Sequence, residues 1–175
     1  MKLRATWIFW ILVSLLALSA VDVTAQQWRH RHGNRGMGRQ GPGEDHDTIH
    51  FLLDNNTKIR REVKMLEDGV ETLTESSDPE IAGKIREHVQ AMERRLTEGS
   101  PIHQRDPLFA EIFDHSDQIK LSIEPTEKGV RVIETGQDPE VVRLIQAHAR
   151  VVSAFLENGH SEARKNHSVE EMLGP

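Results

Sequence analysis

An internal repeat at a fixed offset of sixty residues constrains this chain more than any other feature. Phe51–Gly99 aligns with Glu111–Gly159 without a gap, and twelve of the 49 aligned pairs are identical. Chance at average composition gives roughly three. The identities include Asp54/Asp114, Ile59/Ile119, Gly69/Gly129, Val70/Val130, Asp78/Asp138, Pro79/Pro139, Ile85/Ile145, His88/His148 and Gly99/Gly159. Two copies are too few for a solenoid. A unit of about sixty residues is marginal alone, so a pseudo-two-fold pair sharing one core is the expected solution.

The copies decode each other. In copy 2, Ile119-Lys120-Leu121-Ser122-Ile123 alternates strictly, Glu124–Gly129 is turn-like, and Val130–Thr135 is β-branched. That pattern predicts a hairpin. Copy 1 is richer in Arg, Glu and Lys. Even so, Ile59, Arg61, Val63 and Met65 alternate with Arg60, Glu62 and Lys64, and Gly69 stands where Gly129 does. Each hairpin leads into Asp-Pro-Glu, at 78–80 and 138–140, and then a periodic stretch ending at Gly99 or Gly159. An Asp N-cap, Pro at the first helical position and Gly just past the end predict a long helix in each copy. A shorter helix precedes each hairpin, over about 47–56 and 107–116. The expected fold class is α+β: an internally duplicated α-β-β-α unit, with antiparallel β-hairpins packed against helices. Copy 1 spans 46–103 and copy 2 spans 106–163, making one domain of 46–163, with 164–175 as a loose tail.

The N-terminus reads as a signal peptide over residues 1–25. Lys2 and Arg4 precede an apolar run from Trp7 to Ala20, and Val23 and Ala25 supply small residues before a cleavage point. The run is shorter than the roughly twenty residues a membrane span needs. The expected location is periplasmic or secreted after cleavage near Ala25. Residues 26–45 read as a disordered linker rich in Gly, Arg and His. Its segment 26–43 holds four arginines and no acid, whereas residues 44–175 carry 16 basic and 27 acidic residues, a charge of −11. The arm suits contact with an anionic surface. Nucleic acid is not an expected partner, because stacking aromatics are scarce and export removes the chain from it.

The chain has no cysteine, which excludes disulfides, thiolate metal sites, covalent haem and a catalytic thiol. It has ten histidines, and the repeat singles out two. His88 falls on the stripe of Ile81, Ile85, Met92 and Leu96; His148 falls on that of Val141, Ile145, Val152 and Leu156. A pseudo-two-fold brings both toward one axis, where a bis-imidazole site can hold a transition-metal ion or haem b. Weaker candidates for metal ligation are Met92, one turn after His88; His50, one turn after His46; and His115. No H-E-x-x-H, nucleophile elbow or phosphate loop occurs. The expected function is therefore a non-catalytic binding or sensing domain for a metal or haem. The alternative is a structural module for a protein partner or homodimer, its histidines satisfied in the core.

Overall fold

The computed structural model describes residues 42–173. The signal segment and residues 26–41 of the linker lie outside the described residues.

Alternation of apolar and charged residues builds a four-stranded antiparallel sheet. Its strands are β1 (Arg60–Leu66), β2 (Gly69–Glu75), β3 (Ile119–Pro125) and β4 (Gly129–Gly136), in the order β1-β2-β4-β3. Both hairpins close over two residues, since Leu66 pairs with Gly69 in one and the Thr126 N–H bonds the Gly129 carbonyl at 3.0 Å in the other. Their second strands, β2 and β4, join at the centre, with Thr72 opposite Val132. Val70, Thr72, Val130 and Val132 are buried, while Arg60, Glu62, Lys64, Lys120, Ser122 and Glu124 are exposed. One face therefore carries the core, as period-two strands require.

The central strands approach closely at two glycines. A Cβ on Gly69 would lie 1.8 Å from the Glu134 carbonyl oxygen, and one on Gly129 would lie 2.0 Å from that of Thr74. No other residue fits there.

Six helices complete the described residues: α1 (Pro42–Asp54), α2 (Pro79–Glu98), α3 (Pro107–Asp114), α4 (Pro139–Asn158), α5 (His160–Ala163) and α6 (Val169–Leu173). The long pair starts as expected. Asp78 Oδ1 accepts the Glu80 N–H at 2.9 Å, and Asp138 Oδ1 accepts that of Glu140 at 2.7 Å. Gly99 and Gly159 end the two helices at φ 61° and 57°.

Each long helix reaches across to the hairpin that does not precede it, and α4 also lies on its own strand β4. Ile81 and Ile85 of α2 pack on Val130 and Val132 of β4, with Leu121 and Ile123 alongside. Val141, Ile145 and Ala149 of α4 pack on Val70 of β2, with Val63 alongside. Polar ties follow the same crossing. Arg86 Nη1 donates to the Thr126 carbonyl at 3.2 Å, and Gln146 Nε2 donates to that of Leu66 at 3.0 Å. A third cluster joins Leu108 and Ile112 of α3 to Leu144, Ala147 and Val151 of α4.

Two sequence boundaries are corrected. The linker stops short of residue 45: α1 already begins at Pro42, and Asp45 is buried in an ion pair with Arg95. Residues 164–173 are not a loose tail. Val169, Met172 and Leu173 pack on the third cluster, and His167 is buried against Asp106 and Glu162.

Candidate functional site

Helical spacing aims both histidines at the sheet. His88 follows Ile81 and Ile85 by seven and three residues, and His148 follows Val141 and Ile145 by the same steps, so each ring points where its buried neighbours point. Both rings are half-buried, and in each the Nδ1 atom is shut off from solvent without a hydrogen-bond partner.

Two charged side chains on the sheet's core face lie near enough to act on them electrostatically. Arg61 of β1 donates through Nη1 to Thr74 Oγ1 at 2.7 Å, and its buried Nε has no partner. Glu134 of β4 stands in register with Val70, and its Oε2 lies 3.8 Å from His148 Nδ1. That separation is an ion-pair distance, too long for a hydrogen bond. Three buried nitrogens of one cluster (Arg61 Nε, His88 Nδ1 and His148 Nδ1) are thus unsatisfied, at a cost of about 1–3 kcal/mol each while nothing meets them.

Electrostatics sets the states of three of these groups. Burial pushes the His88 ring down to about 4; His148 and Arg61 push the same way, and Asp45 and Glu87 only partly oppose them. His88 is therefore neutral at pH 7, with a nitrogen lone pair available. Burial alone would raise the Glu134 carboxyl, but His148 and Arg61 outweigh it and hold it below the usual carboxylate range. Burial lowers the Arg61 guanidinium, opposed by Glu134; it stays cationic at neutral pH. Phe109 closes one side, edge-on to His148 at 5.3 Å and stacked on Phe155 at 5.8 Å.

Two ligands at about 2.1 Å on a tetrahedral ion are about 3.4 Å apart. The 3.8 Å between His148 Nδ1 and Glu134 Oε2 is near that spacing. Among the described residues, however, no three His, Asp or Glu side chains already converge on one point. Met92 is half-buried one turn past His88. His115 has both ring nitrogens engaged, Nε2 with Glu111 at 3.1 Å and Nδ1 with Gln118 at 3.0 Å, which leaves it no lone pair to offer. His50 joins a different group, with its ring beside His46 and His160.

Sequence reasoning missed Arg61 and Glu134. Their signal was present: each occupies an inward position of a strand whose other inward residues are apolar. It also missed the buried set around His167. There Nδ1 lies 2.5 Å from Asp106 Oδ2 and Nε2 lies 3.2 Å from Glu162 Oε1, so both nitrogens are engaged and the ring acts as a staple. No family model, curated protein or solved structure matches this chain.

Proposed function

We propose that the chain is an internally duplicated, exported, non-catalytic binding domain whose ligand centre is the His88/His148 pair. Support for the duplication comes from the sheet register, which is its own image under the sixty-residue shift: Thr72 faces Val132, its own counterpart, and Gly69/Thr135 repeats as Gly129/Glu75. The Ser76 N–H to Lys128 carbonyl bond and the Gly136 N–H to Asp68 carbonyl bond, both 2.9 Å, are likewise counterparts. A pseudo-two-fold through the β2–β4 pairing relates them.

The observation that carries the binding reading is the pair of orphaned Nδ1 atoms at equivalent positions. Core histidines kept for packing are normally satisfied, as the buried His167 is here. A transition-metal ion is the ligand class that uses neutral imidazole nitrogens, with the Glu134 carboxylate as a third donor after a modest side-chain turn. Haem b fits less well, since an Arg61–Glu134 charge pair is a poor lining for an apolar macrocycle. Export rests on the leader at residues 1–25, and the four-arginine arm suits an anionic surface.

The test is zinc or copper titration of the purified protein against a His88→Ala/His148→Ala variant. The double variant is expected to lose one bound equivalent while keeping its circular dichroism spectrum. Unchanged stoichiometry and affinity would remove the pair as the site.

A further inference from the structure

A second histidine group lies on the surface, with residues disjoint from the first. His46 and His50 stand one turn apart on α1, their ring centroids 4.1 Å apart. The ring of His50 meets that of His160, the first residue of α5, at 5.1 Å. His160 Nε2 lies 2.7 Å from Asp54 Oδ1, one turn beyond His50. A carboxylate can only accept, so Nε2 carries the hydrogen and the neutral ring keeps its lone pair on Nδ1. A carboxylate orienting a ring through one nitrogen and freeing the other is the usual outer support of a metal-ligating histidine. His46 Nδ1 lies 3.7 Å from Asp47 Oδ1, an ion-pair distance too long for a hydrogen bond.

We infer that His46, His50 and His160 form a surface site for a divalent transition-metal ion of the nickel, copper or zinc class, with Asp54 as its orienting carboxylate. Two imidazoles on one ion at about 2.1 Å have ring centroids roughly 4.5–5.2 Å apart. The observed 4.1 and 5.1 Å lie close to that range. The donors do not converge in the resting arrangement. The His46 side chain is 67% exposed, so it turns without disturbing the core. An exposed site leaves a coordination position to water, so the ion exchanges readily. Occupancy ties α1 to the segment after Gly159, a junction already bridged by the Asn56 Nδ2 bond to the Leu156 carbonyl at 2.9 Å.

Calorimetric titration of the full chain with nickel chloride tests this. One equivalent is expected to remain in the His88→Ala/His148→Ala variant, which removes the other centre, and to survive the further changes His30→Ala and His32→Ala, which remove the arm histidines. His50→Ala and His160→Ala are each expected to weaken it at least tenfold, and Asp54→Asn by about tenfold. In the His88→Ala/His148→Ala background, thermal melts should rise with nickel, and adding His50→Ala should remove that rise. Binding as tight in His50→Ala and His160→Ala as in the parent, loss of the equivalent with His30 and His32, or no binding by the full chain would each overturn the assignment. The two histidine groups share no residue, so failure here is separable from failure of the His88/His148 site.

Discussion

His88 shows how one position carries both a cost and a property. Its ring is about 4 when folded and ordinarily near 6.5. Between those values the unfolded chain binds a proton that the folded chain does not, so stability falls as pH drops from about 6.5 to 4. At about 1.4 kcal/mol per pH unit, the loss reaches at most about 3 kcal/mol, less whatever the ring's partial exposure returns. Denaturant midpoints across pH 4–7 should show this slope, and His88→Gln should flatten it. Glu134 works in a lower window. Its carboxyl is held below the usual range by His148 and Arg61 against the opposing effect of burial, so its contribution is lost only as acid titrates the carboxylate. The two histidines were legible because they recur on apolar stripes. Arg61 and Glu134 were harder to see, since no pattern reveals that two inward charges on different strands converge until the strand order is known. His160 was hidden for a similar reason: it lies 106 residues from its partner Asp54.

Among elements, the two hairpins and two long helices were legible because turn, cap and stop residues repeat. The tail and the start of α1 were not, because both are held by distant partners. Arg95 holds Asp45 from 50 residues away, and Asp106 holds His167 from 61. His167→Ala should therefore loosen α6 and leave Asp106 buried without its ring partner, costing about 3–5 kcal/mol. Early amide exchange at residues 168–173, with the sheet still protected, is the expected signature. Glycines divide by environment in the same way. Gly129→Ala should be severely destabilising, because its new carbon meets the Thr74 carbonyl at 2.0 Å. Gly83→Ala, inside α2 with open space around the new carbon, should stabilise by about 0.5–1 kcal/mol. Thermal melts of the two variants should move in opposite directions.

At the scale of the molecule, the crossing of helices over hairpins decides what can fold. The apolar face of α2 is buried on β4, and that of α4 on β2. Each half therefore lacks a strand that its own long helix packs against, although α4 also lies on β4 of its own half. The repeat in the sequence implied a shared core but not this exchange, since stacking each helix on its own hairpin uses the same apolar stripes. The exchange has a measurable consequence. Residues 40–104 or 105–175 expressed alone should each lack a cooperative thermal transition, because each loses Ile81 and Ile85 from Val130 and Val132, or Val141 and Ile145 from Val70. Mixed at equal concentration, the halves should regain helix and sheet together, since the β2–β4 ladder and the crossed helix contacts lie between them. The regained signal should depend on concentration, as a two-chain association must. A half that melts cooperatively by itself would mean that a helix can fall back on its own hairpin, and the exchanged packing would then not be required for folding.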